Sequence, residues 1–236
     1  MLRGVMDEGT WATIEQERLS VADLLAGLAP NQWETRSLCS TWRVRDVAAH
    51  LIMTPAGAPN VKTMVTALAR TRGDLWGAGR DVAIAYAARP TEQIVEEMRG
   101  SAGSRTKPIF VNSENILLDL FVHGQDIAVP LGLQRPVAQS GGAAALDRIW
   151  AMGWPFHARR RLAGVQLLAA DAAWRGGHGP EIIGTVADLL LLTTGRTQAA
   201  LPRLRGPGLE AISQDAQARP RETPVKQDEN HSRWDK

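Results

Sequence analysis

Cysteine is almost absent from this 236-residue chain, which carries Cys39 and no other. A single thiol excludes an internal disulfide and any cysteine-rich metal site. Lysine is nearly as scarce: Lys62, Lys107, Lys226 and Lys236 are the only ones among 27 basic residues. No excess of one charge stands out. The formal net charge is +2, so the pI near 9.0 reflects a small surplus and not a basic patch. Arg159-Arg160-Arg161 is the one basic run, and this balance does not point to nucleic acid. Long apolar runs are missing as well. Blocks such as 189–192 fall far short of a bilayer span, and the first eight residues have no apolar signal core. The expectation is a soluble, cytoplasmic protein with no membrane or nucleic-acid partner. With 44% hydrophobic residues, the chain can bury a sizeable core in one large or two small domains.

What is present is a set of polar residues embedded in apolar helices. In the segment Asn115-Ile-Leu-Leu-Asp119-Leu-Phe-Val-His123-Gly-Gln-Asp126-Ile, the residues Asp119, His123 and Asp126 fall at i, i+4 and i+7. Helical pitch puts them on one face. Their neighbours are mostly apolar, and polar groups projected from such a helix must find partners. Two readings fit: a carboxylate that hydrogen-bonds a core histidine, or a carboxylate and an imidazole that share a metal ion. A second histidine bears on the choice. Around His50 the residues Val44, Val47, Ala48, Leu51 and Ile52 follow the helical pattern, and Pro55 should end the helix soon afterwards. His50 lies on the edge of that apolar face. Two histidines and one carboxylate on two helices make a three-ligand set with open positions, which describes a catalytic metal site better than a closed structural one.

These segments resemble a known family. Ser37-Leu-Cys-Ser-Thr-Trp42-Arg-Val-Arg-Asp46-Val-Ala-Ala-His50-Leu resembles the first signature of the mycothiol-dependent maleylpyruvate isomerase-like branch of the DinB superfamily, and Leu118-Asp119-Leu-Phe-Val-His123-Gly-Gln-Asp126-Ile resembles its second. A third likeness, to the family's small C-terminal domain, runs through Asp171, Trp174, Gly179-Pro-Glu-Ile-Ile-Gly184 and Leu189-Leu-Leu-Leu-Thr-Thr-Gly195-Arg196. The resemblance implies a metal, zinc above all, held by His50, Asp119 and His123. It also implies a low-molecular-weight thiol such as mycothiol as cosubstrate, and isomerase or S-transferase chemistry on a small, anionic electrophile. Arg196 is the candidate to reach across to the bundle and bind a carboxylate in bidentate fashion; read alone, it is an ordinary arginine at a helix end. The scarcity of lysine suits an actinobacterial, high-GC source. Two departures stand out: Asp119 replaces the family's Glu, and Arg43 stands where relatives carry a Ser or Thr helix cap. The first keeps a rival open, a non-catalytic DinB-like module that binds metal or ligand in a stress-linked role. Oligomeric state is left as monomer or homodimer.

The expected fold class is α+β: a DinB-like four-helix bundle over 1–135, then a small α/β domain over 143–213, joined through a helix at 143–156. Within the bundle, helices are expected at 10–28, around His50, at 61–75 and from Pro90 to Gly100. The Asp119/His123 helix should open on Asn112 or Ser113 as cap. Ile14, Leu19, Leu24, Leu25 and Leu28 are candidate core residues. Gly77 to Gly79 reads as punctuation, and 135–142 reads as a linker. Beyond it come strands near 165–170 and 181–183, a turn-rich stretch between them, and a helix at 185–194 stopped by Gly195. The charged residues 214–236 read as a disordered tail.

Asp126 could accept a hydrogen bond from the metal-bound imidazole and fix its tautomer, or cap a neighbouring loop. Cys39 could approach the pocket, although no histidine or acid stands at recognisable nucleophile spacing. His178 reads as an exposed turn residue, and His157 and His231 carry less. Trp42, Trp150, Trp154 and Trp174 read as core or domain-seam packing.

Overall fold

The computed structural model describes residues 2–57, 61–108 and 111–212; the expected tail and His231 lie outside them. The elements are α1 (Leu2–Ala26), α2 (Pro30–Trp33), α3 (Val44–Met53), α4 (Val61–Arg70), α5 (Leu75–Tyr86), α6 (Thr91–Gly100), α7 (Ser113–Ala128), α8 (Gln139–Ala151) and α9 (Ala158–Arg161). They are followed by β1 (Gln166–Ala169), β2 (Arg175–Gly177), β3 (Glu181–Gly184), α10 (Val186–Thr193) and α11 (Thr197–Ala200). The class is α+β, mostly helical with one small sheet. Among the described residues no helix is long and apolar enough to cross a membrane.

Four helices make the bundle. α1 packs on α6 and α7, and α3 packs on the same two, so α1 and α3 lie across from each other. α4 and α5 form an excursion that covers one end of α3 through Met53, Ala67, Ala78, Val82 and Ala83. The buried stripe of α1 runs Ile14, Arg18, Val21, Ala22 and Leu25. Leu19, expected in the core, is 40% exposed. The phase set by Ile14, Val21 and Leu25 turns Leu19 outward and puts an arginine in its stead.

Helix starts follow local chemistry. Asn112 Oδ1 accepts from the backbone N–H of Asn115 at 2.9 Å and opens α7. At α3 the missing Ser/Thr cap is replaced from the other direction. Asp46 Oδ2 accepts from the backbone N–H of Arg43 at 2.8 Å, while the Arg43 guanidinium grips the same carboxylate. One orphan donor of the first turn is thereby satisfied.

Two expected breaks are helical instead. Gly77 and Gly79 lie inside α5, because the chain turns earlier. Gly73 adopts φ +90 and donates to the Leu68 carbonyl, ending α4 there. The expected linker at 135–142 is half helix, since α8 begins at Gln139. Its glycines serve packing: a Cβ at Gly142 would come within 2.5 Å of the Val186 side chain, and one at Gly141 within 3.1 Å of Phe121. α8 therefore approaches α7 and α10 closely, and the apolar core is continuous from the bundle into the C-terminal part.

The sheet has order β2-β1-β3, with β1 antiparallel to β2 and parallel to β3. β2 is a third strand inside the stretch read as turns. Gly176 and Gly177 let it lie flat against Trp150 and Trp174, where any side chain would collide. Trp174 is buried, whereas Trp154 is 67% exposed and lies outside the core.

α10 opens on a reciprocal cap between Thr185 and Asp188 and closes with Gly195 at φ +90. The N–H of Arg196 then donates to the Leu191 carbonyl at 2.8 Å. This C-terminal turn fixes the backbone from which the Arg196 side chain departs.

Candidate metal centre

α3 delivers His50, and α7 delivers Asp119 and His123 one turn apart. One ligand atom from each of the three lies within 4.8 Å of the other two. The Asp119 carboxylate stands between the imidazoles: Oδ2 is 3.4 Å from His50 Nε2, and Oδ1 is 3.3 Å from His123 Nε2. Charge-assisted hydrogen bonds of this kind run about 2.7–2.9 Å. Donors bound tetrahedrally to one zinc at about 2.0–2.2 Å sit about 3.4 Å from each other. The separations are longer than such hydrogen bonds and leave room for an ion among the three side chains. Exposure falls steadily inward, from 47% at the Asp119 side chain to 32% at His50, 13% at His123 and 0% at Asp126.

Behind His123 the arrangement tightens. His123 Nδ1 lies 2.8 Å from Asp126 Oδ2, a true hydrogen bond that leaves Nε2 facing the centre. Arg196 then grips Asp126 with two parallel bonds, Nε to Oδ1 at 2.9 Å and Nη2 to Oδ2 at 2.7 Å. Arg196 thus reaches the bundle, but the carboxylate it holds is Asp126. It takes no part in lining the cleft described below, because a fully buried carboxylate has claimed its fork. Burial pushes the Asp126 carboxyl up, and the hydrogen bonds from His123 and Arg196 outweigh that, holding it at about 2. Burial likewise opposes the charged forms of Asp119 and His123. Their mutual attraction prevails, keeping the Asp119 carboxyl well below the usual range and the His123 imidazole well above it.

Cys39, expected near the pocket, has partners there that the sequence did not show. Cys39 Sγ donates to Asp126 Oδ2 at 3.1 Å and lies 3.7 Å from His123 Nδ1. These partners are 84 and 87 positions away in the chain, so no local spacing could reveal them. Trp42 is more than packing: its ring centroid lies 5.1 Å from that of His50 and 6.0 Å from that of His123. His178 is exposed just beyond β2, as expected of a turn residue.

A cleft of about 260 Å³ opens beside the centre, lined by His50 and Asp119 together with Arg18 and apolar side chains such as Leu51, Ile116 and Leu120. Among the described residues, its lining comes from the bundle and the segments after α3 and between α6 and α7, with none from the C-terminal part.

Residues 14–109 match the model of the mycothiol maleylpyruvate isomerase N-terminal domain. Over that stretch, less than half of the chain, the sequence is similar to this family. The matched part includes Arg18, Trp42 and His50, and stops before Asp119 and His123. No curated protein and no solved structure matches the chain.

Ligation requires His123 Nε2 to shed its proton. Because that imidazole holds its proton unusually well in the metal-free protein, zinc affinity should fall as pH drops. We expect about a tenfold loss per unit over at least part of the range from pH 8 to 6. A zinc titration against a fluorescent chelator at four pH values checks this; a flat profile would place the metal elsewhere.

Proposed function

We propose that the protein is a metal-dependent enzyme that recruits an external low-molecular-weight thiol, mycothiol in an actinobacterial source, for isomerase or transferase chemistry on a small electrophile. The family match supports the thiol and the substrate class. The observation that carries the metal is the spacing of His50, Asp119 and His123 at an open cleft. A divalent cation there, most simply Zn²⁺, would supply Lewis acidity and lower the pKa of a thiol brought to an open position.

The protein's own residues prepare that position. Asp126 accepts from His123 Nδ1 and keeps the Nε2 lone pair turned towards Asp119. Arg196 keeps Asp126 ionised and in place. Asp119, a methylene shorter than Glu, reaches the centre because α7 sets it one turn from His123. Apolar side chains of Leu51, Ile116 and Leu120 line the cleft beside it. Trp42 lies against both imidazoles and limits their rotation.

Cys39 does not supply the thiol. It sits on the Nδ1 side of His123, bonded to Asp126, where Cys39, His123 and Asp126 form a second group with metal-ligating atoms, opposite the Nε2 that faces Asp119. Activity should therefore need both zinc and added mycothiol, and should survive Cys39→Ser within about a factor of three. Thiol-dependent turnover screened on small electrophilic acids tests this. Full turnover in metal-replete, thiol-free protein would refute it, and loss of turnover in Cys39→Ser with zinc still bound would make Cys39 the nucleophile.

A further inference from the structure

Arg18 is 1% exposed, in the middle of the apolar stripe of α1. Its Nη1 is satisfied, donating to the carbonyls of Ala102 at 2.9 Å and Ser104 at 2.6 Å just beyond α6. Its Nε and Nη2 are buried and have no hydrogen-bond partner among the described residues. These two nitrogens carry the parallel N–H pair along one edge of a guanidinium, the edge that grips a carboxylate through two bonds. Burial pushes the group down to about 10, with Glu15 acting against it from a distance, so it is charged at neutral pH. A buried cation with an empty bidentate edge is costly unless something anionic or wet meets it. Arg18 shares its cleft with His50 and Asp119. Arg196, the other arginine near the centre, is spent on Asp126.

We infer that Arg18 is the anion receptor of this cleft, taking the carboxylate of a small organic acid on its Nε/Nη2 edge while the rest of the molecule extends towards His50 and Asp119. Where the metal reading above also holds, the acid is the substrate. The anion site itself does not depend on that reading. The apolar walls formed by Leu51, Ile116 and Leu120 suit a short carbon skeleton, and the forked edge selects a planar carboxylate over a neutral amide of the same shape.

The test is calorimetric titration of metal-free and zinc-loaded protein with succinate, and with succinamide as the neutral control. Saturable succinate binding without response to succinamide is expected, and it should persist in the metal-free protein. Arg18→Met should weaken it by about tenfold or more, as loss of a charge-assisted pair of bonds requires, while zinc affinity stays as it was. Arg18→Lys keeps the charge without the fork and should fall between the two; it also serves if Arg18→Met does not fold. Equal succinate affinity in wild type, Arg18→Met and Arg18→Lys would overturn the proposal, as would binding that vanishes with the metal, which would put the carboxylate on the ion. An absence of zinc binding together with intact, Arg18-dependent succinate binding would sink the metal reading and leave this one standing.

Discussion

Replacing His123 by alanine is expected to abolish zinc binding at the proposed centre and leave the bundle folded. In a four-ligand zinc site the binding free energy is about 10–16 kcal/mol, so one ligand accounts for roughly a quarter of it. A loss of affinity on the order of a hundredfold to a thousandfold follows, and with it the loss of any thiol-dependent turnover. The fold should survive because Asp126, left without the imidazole, still has both bonds from Arg196. The stability cost is then that of one hydrogen bond to a charged group, about 1.5–3 kcal/mol. Metal content by mass spectrometry under native conditions, beside a thermal melt, reads both effects. A variant that retains stoichiometric zinc with wild-type affinity would remove His123 from the centre.

Arg196→Met should show the opposite balance, with stability most affected. Asp126 is fully buried, and Arg196 supplies two of its contacts. Breaking a buried pair from one side leaves a charge without its partner and costs about 3 kcal/mol, or roughly 6–12 °C in melting temperature for a chain of this size. Zinc affinity should also fall by about 10- to 100-fold, because Asp126 orients the ligand imidazole. Adding Asp126→Asn to Arg196→Met removes the stranded charge and should recover much of the stability. If Arg196→Met instead melts like wild type, binds zinc normally and only raises KM, the guanidinium belongs to substrate and the pairing with Asp126 is incidental.

The contrast between these residues shows what a sequence can carry. His123 and Asp119 stand one helical turn apart, so their shared face follows from pitch alone, and His50 follows from its place beside Val47 on an amphipathic helix. Asp126 on the same face of α7 was legible for the same reason. The partners of Asp126 were not: Arg196 and Cys39 approach from 70 and 87 positions away, and only the packing of α10 and of the segment before α3 brings them in. Arg18 was legible in principle. It continues the stripe of Ile14, Val21 and Leu25, but an arginine at such a position is ordinarily taken for the edge of a surface helix, and Leu19 beside it looks the better core residue. Glycine misled in two places. At Gly77 and Gly142 it permits close packing inside a helix, and at Gly73 and Gly195 it ends one; residue type alone does not separate these uses, whereas φ does.

The most direct measurement is zinc-edge X-ray absorption on the Cys39→Ser protein loaded with one equivalent of Zn²⁺, recorded before and after addition of mycothiol. Before the thiol, only nitrogen and oxygen neighbours at about 2.0–2.2 Å are expected, two of them imidazoles; afterwards one sulfur should appear at about 2.3 Å. A spectrum without two imidazoles, or one that gains no sulfur on saturation with thiol, would contradict the account of an open His50–Asp119–His123 centre that takes its thiol from outside.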